Sequence, residues 1–213
     1  SESRGLGDVY KRQLPNLATS YNWVDSKTLE FDLRKGVTFH NGEKFDADDV
    51  VYTLTYISNP ENGAKPARNV NWWDSAEKLG DYKVRLNLTK EFPAALEFLS
   101  GPIVMYPNEY YAEVGPEGMA IKPVGTGPYA VTSVEPGKRY KFKKNDNYHA
   151  SSPKGQANIG NITIRTIAES NTQLAELFSG GVDWIWKVKP DQAERIASQG
   201  QFTVKNASTM RIG

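Results

Sequence analysis

The stretch Leu29–Leu54, LEFDLRKGVTFHNGEKFDADDVVYTL, changes its period halfway along, and that change decides how the chain is read. Leu29, Phe31 and Leu33 alternate with polar residues, the two-residue repeat of a half-buried strand. Tyr21 and Trp23 alternate in the same way upstream, and Asp25-Ser26-Lys27 stand between the two arms, so the region reads as a hairpin. Gly36 and the Asn41-Gly42 pair punctuate turns. From Asp46 the period becomes helical: Val50, Leu54 and Ile57 share one face, with Val51 beside them. Asp46 suits an N-cap, Asp49 three residues on resembles the acidic half of a capping box, and Asn59-Pro60 ends the helix.

Working outward, residues 59–69 form a loop with two prolines and a glycine. A second hairpin turns at Gly80-Asp81, with Tyr82, Val84, Leu86 and Leu88 on one face. PAALEFLSG (93–101) reads as a short helix, and another starts near Pro107. Beyond KPVGTGPY (122–129), a hairpin turns at Pro136-Gly137. Residues 161–188 then read as strand, helix, strand. Ser170 and Gln173 are the expected capping pair, and Gly180-Gly181 close the helix. A last helix runs from Pro190 to about Ser198 and leads into a further strand. Strands alternating with helices predict a βαβαβ run. The fold class is therefore α/β in the mixed α+β sense, with one zone over 14–118 and a second over 119–213. The chain closes on STMRIG, a strand-like run with no turn behind it, which predicts truncation.

Composition removes several classes. The 213 residues carry a net charge of +1, which gives no electrostatic footprint for nucleic acid or an anionic membrane. The densest basic run, KRYKFKK (138–144), alternates with aromatics as the solvated face of a strand does. There is no cysteine, so disulfides, zinc–thiolate sites and thiol nucleophiles are excluded. No stretch approaches the roughly 18 apolar residues of a membrane span, and no signal segment opens the chain.

A search for chemistry finds binding features in place of catalytic ones. KPVGTGPY fails as a phosphate loop: it lacks Gly-Lys-Ser/Thr, Pro128 has no N–H to donate, and a strand follows. Its prolines stiffen the ends, its glycines release the backbone, and it turns the chain into a strand beginning near Tyr129. His40 and His149 lie far apart, each in polar surroundings, and read as turn or surface residues. No G-x-S-x-G elbow accompanies them. Asp46, Asp48 and Asp49 are explained by the start of a helix. The expectation is no enzyme, no metal and no cofactor. The tryptophans say more. Trp72 and Trp73 would face opposite ways in an extended strand, so one packs inward while the other can line a cleft. Trp184 and Trp186 share one strand face and read as core.

LPNLATSYNW, the Leu29–Leu54 stretch, KPVGTGPY and LAELFSGGVDW, in that order, resemble the extracytoplasmic solute-binding proteins of ABC importers, in the dipeptide, oligopeptide and nickel class (family 5). The resemblance covers 14–213. It implies a periplasmic-binding-protein-like type II clamshell in which 14–118 is a small extra hairpin-rich domain and 119–213 is part of the main lobe. The second ligand-binding lobe is then missing, and 1–13 is a segment foreign to the family fold. By matching segments the ligand-binding candidates are Trp72, Trp73 and PIVM (102–105), that is Ile103, Val104 and Met105. A nickel-type member is expected to show an arginine in PIVM, and none is there. The implied function is the substrate-binding component of an ABC-type importer. It captures a small solute, a di- or oligopeptide first, at the periplasm or cell surface, and passes it to a membrane permease. Oligosaccharide and opine ligands stay open, as does a secreted carbohydrate-active enzyme from another class. No nucleic-acid partner and no membrane insertion are expected. A half-clamp exposes an apolar cleft wall, which invites self-association.

Overall fold

The computed structural model describes residues 16–63, 67–101 and 103–206. The expectations for residues 1–13, for Pro102 and for the closing STMRIG lie outside the described residues. Contacts divide the chain into two units, one ending at Ile164 and one starting at Arg165.

The first unit is built on a four-stranded antiparallel sheet. Strands β1 (Ala18–Asp25) and β2 (Thr28–Leu33) form the first hairpin, and β3 (Trp73–Gly80) and β4 (Lys83–Leu88) the second. The spatial order is β1-β2-β4-β3, so the two hairpins meet along β2 and β4. Asp25 shapes the first turn by accepting from the Lys27 N–H at 2.8 Å and the Thr28 hydroxyl at 3.0 Å. Register explains the two faces. Leu29 pairs with Leu86 and Phe31 with Val84 on the apolar side. On the other side Glu30 meets Arg85 at 2.7 Å and Lys83 at 3.2 Å. Leu29, Val84 and Leu86 are fully buried.

Helix α1 (Ala47–Ser58) covers the apolar side, and the expected capping box is in place: Asp46 caps, and the Asp49 carboxylate accepts from the Asp46 N–H at 2.9 Å. Val50 and Leu54 carry the buried face. Helix α2 (Ala95–Ser100) and helix α3 (Asn108–Ile121) follow, and α3 is broken at Gly115, whose φ of 65° precedes Pro116. The unit closes with strands β5 (Tyr129–Glu135) and β6 (Arg139–Lys144), a hairpin turning at Gly137. Strand β7 (Asn161–Arg165) is ordered beside β6 and ends at the division. Along β6, Arg139, Lys141 and Lys143 are exposed while Tyr140, Phe142 and Lys144 are half-buried, the solvated alternation expected of KRYKFKK.

KPVGTGPY does lead into β5 at Tyr129. The reason given for its glycines is corrected, however. Neither Gly125 nor Gly127 has positive φ, and a Cβ at Gly125 would meet only the His40 ring carbon Cε1 at 3.8 Å. Their backbone groups matter instead: the His40 N–H donates to the Gly125 carbonyl at 2.9 Å.

The second unit holds helices α4 (Ser170–Phe178) and α5 (Pro190–Ser198), packed through Leu174, Leu177 and Ile196. Here the βαβαβ expectation is corrected. Among the described residues the run keeps its first strand, β7, and both helices, but 182–188 and 203–206 form no strand. A strand exists only where a neighbour takes up its backbone groups, and these segments have none among the described residues. Val182, Ile185 and Val188 still turn inward onto the helices. Trp184 and Trp186 face out, 74% and 66% exposed, which overturns the reading of both as core. The Ser170–Gln173 cap is corrected too: Glu169 holds the N-cap position with no side-chain bond, and Gln173 Nε2 donates back to the Ile167 carbonyl at 2.6 Å. Among the described residues no helix is long and apolar enough to cross a membrane.

Candidate functional site

The candidate strip Ile103–Met105 connects α2 to α3, and α1 fixes it. Thr53, fully buried, accepts from the Tyr106 N–H at 3.0 Å. Four residues earlier on the same helix face, Asp49 is 1% exposed and accepts from the Asn108 N–H at 2.9 Å through its second oxygen. That bond has a local cause. The N-cap of α3 is Pro107, which offers no side-chain acceptor to the opening N–H groups of the helix. Asp49 therefore caps its own helix with one oxygen and its neighbour with the other. Burial raises its carboxyl to about 6, against the two backbone N–H bonds that pull it down; Asp46 and Glu43 add to the rise.

Behind the strip stands a group of tyrosines. Tyr106 stacks on Tyr111 at 4.3 Å between ring centres, and Tyr56 meets Tyr111 edge-on at 5.0 Å. Burial, with the Tyr111 hydroxyl donating to Tyr56, pushes the Tyr111 phenol up. This packing leaves the strip graded in exposure: Ile103 is 9% exposed, Met105 is half-buried, and Val104 stands out at 61%.

Trp72 and Trp73 are placed differently from an alternating pair. Both are buried, at 1% and 4% exposure, with rings edge-on at 4.7 Å. Trp72 sits in the bend before β3, where strand alternation does not apply, and stacks on Phe92 at 4.7 Å. Each indole N–H is satisfied internally, Trp72 on the Asn69 carbonyl at 2.9 Å and Trp73 on the Leu54 carbonyl at 3.3 Å. Both belong to the same buried cluster as Ile103. Among the described residues no three His, Asp or Glu side chains gather as metal ligands would. The geometry offers an apolar side chain on a braced backbone segment, which is suited to contact and carries no paired acid and base.

The bonds from Asp49 and Thr53 to the segment 106–108 are what sequence reading missed. The available signal was a third carboxylate where a helix start needs fewer, together with a proline at the start of the later helix.

Over residues 13–213 the chain matches the family described as "Bacterial extracellular solute-binding proteins, family 5 Middle". It is 31% identical over 180 residues to the glutathione-binding protein GsiB of Pectobacterium atrosepticum, covering 84% of this chain and 34% of that protein. Among solved structures, it is similar to AgaA of A. tumefaciens R10 in complex with agropinic acid (TM-score 0.78, 29% identity, 86% of this chain and 37% of that one). It is also similar to NikZ of Campylobacter jejuni in complex with Ni(L-His) (TM-score 0.71, 30% identity, 79% of this chain and 34% of that one). The chain thus spans about a third of the length of the relatives it matches.

Proposed function

The chain belongs to family 5 of the bacterial extracellular solute-binding proteins, and from that premise we propose that it is part of the substrate-binding component of an ABC-type importer. That component captures a small solute outside the cytoplasmic membrane and delivers it to a membrane permease. The observation that carries this reading is the family match across nearly the whole chain. It is a receptor and not an enzyme, exported to the periplasm or cell surface. Its first-choice ligand is a di- or oligopeptide, supported by the similarity to a glutathione-binding protein, glutathione being a tripeptide. An opine is the second reading, supported by the likeness to the agropinic acid complex.

The same proposal takes 14–118, where the four-stranded sheet lies, as the small extra domain and 119–213 as part of the main lobe, a boundary other than the contact division at 164/165. Within the site, Val104 and Met105 make ligand contact, Ile103 anchors the strip, and Trp72 and Trp73 form the packing beneath it. A receptor of this kind needs a wall that keeps its shape while a clamp closes on the ligand, and the bracing by Asp49 and Thr53 supplies it.

The test is a thermal-shift screen of the longest expressed form against di- and tripeptides, glutathione, opines and oligosaccharides. A ligand at 100 times its Kd adds about 2.7 kcal/mol. A shift with peptides is expected, and Val104→Asp should erase it while leaving the ligand-free Tm in place, because the side chain is exposed. No shift with any small solute, or turnover of model glycosides or esters, would overturn the proposal.

A further inference from the structure

His40 lies in the turn after β2, far in sequence from KPVGTGPY, yet it holds that loop at three points. Its own N–H donates to the Gly125 carbonyl at 2.9 Å. Its ring Nδ1 accepts from the Gly125 N–H at 3.3 Å, and its ring Nε2 lies 2.9 Å from the Gly127 carbonyl. The partners dictate the ring's protonation. A backbone N–H only donates, so Nδ1 must carry a lone pair; a carbonyl only accepts, so Nε2 must carry the hydrogen. Asn145 Nδ2 shares the same Gly127 carbonyl at 3.1 Å.

We propose that His40 is a proton-operated latch: as the neutral Nε2–H tautomer it clasps the 122–129 loop to the turn after β2, and protonation of Nδ1 loosens the clasp by one of its three bonds. A proton on Nδ1 would face the Gly125 N–H, donor against donor, and that bond is lost while the Gly125 amide is left without an acceptor. Histidine is the side chain that changes charge between about pH 5 and 8. The ring's own turn, the 122–129 loop and the Asn145 segment meet here, and both ring nitrogens bond backbone groups. The charged residues along them are Glu43 and Lys44 on its own turn, Lys122 on the loop, and Lys144 and Asp146 flanking Asn145. Among the described residues none of these pairs with the ring, and the Glu43 carboxylate is engaged by Asn41 at 2.7 Å.

The other histidine supplies the contrast. His149 also joins distant segments, with Nε2 3.0 Å from Asn16 Oδ1 and Nδ1 3.4 Å from Ser151 Oγ. Both of those oxygens can accept, so a charged His149 keeps its bonds, and only burial and the nearby Arg34 oppose its charge. The latch is therefore specific to His40. It goes beyond the receptor reading and does not depend on it.

Long-range 15N–1H NMR of histidine-labelled protein at pH 7.5 should show His40 as the Nε2–H tautomer. Hydrogen exchange of residues 122–129, corrected for intrinsic rate, should lose about tenfold protection between pH 7.5 and 5, the change one lost hydrogen bond produces. His40→Gln keeps a donor and an acceptor without a titrating group, so its protection should stay flat with pH, whereas His149→Gln should leave the wild-type loss in place. An Nδ1–H tautomer, or loop protection unchanged down to pH 5 in the wild-type protein, would overturn the latch; both readouts stand even if the His40 variant fails to fold.

Discussion

Asp49 ends two helices with one side chain, and its chemistry predicts both a loss and a pH signature. Asp49→Ala leaves two part-buried backbone N–H groups without their acceptor and should cost roughly 1–3 kcal/mol in urea unfolding. The pH dependence follows from the raised carboxyl. The folded chain holds that proton up to about pH 6, while the unfolded chain gives it up near its ordinary value of 3.8. The folded state therefore binds more protons in this window, and stability falls as pH rises from about 4 to 6, by an amount on the order of 3 kcal/mol. Glu30 and Glu176 are held low by arginine, so they act in the opposite sense. The wild-type curve compared with Asp49→Asn isolates the Asp49 part, and the variant should lose that slope. The double role was not legible from sequence: the capping box is local and was read correctly, but the bond to Asn108 spans 59 positions. The two tryptophan pairs make the same point in reverse. Trp72→Ala should cost about 3–5 kcal/mol, and Trp184→Ala should stay within about 0.5 kcal/mol, although strand periodicity assigned the second pair to the core.

At the scale of elements, what could be read was what forms locally. The three hairpins and α1 carry their own turns, caps and periodicity, and each falls where its residues predict. The segment 182–188 has a strand's pattern, but a strand also needs a neighbour, and nothing in the segment itself says whether one is there. Helix α3 shows a break written in two letters, Gly115-Pro116. With φ 65° and ψ −171°, Gly115 occupies a region open almost only to glycine. Gly115→Ala should cost roughly 1–3 kcal/mol, whereas Gly125→Ala, with ordinary φ and no more than a van der Waals contact to the His40 ring, should leave Tm nearly unchanged. Comparing the two by thermal unfolding separates a glycine needed for its backbone from one whose neighbours use only its amide and carbonyl.

Over the whole molecule the two units differ sharply in what holds them. The first buries a long list of large side chains from Leu29 to Val124, while among the described residues the second has Leu174, Leu177 and Ile196 at its centre. So small a core opens readily. Hydrogen exchange should therefore proceed faster, and proteolysis cut sooner, within 165–206 than within β2 and β4; equal protection in both would contradict this. The placement of the tryptophans turns that difference into something visible. Trp72 and Trp73 sit dry in the first unit, and Trp184 and Trp186 sit wet in the second. Once the half-buried Trp23 is replaced by phenylalanine, each unit carries one pair of fluorophores, the first emitting to the blue and shielded from iodide, the second to the red and open to it. A quenching titration run through an unfolding curve would then follow the two parts of one chain separately, with no label attached.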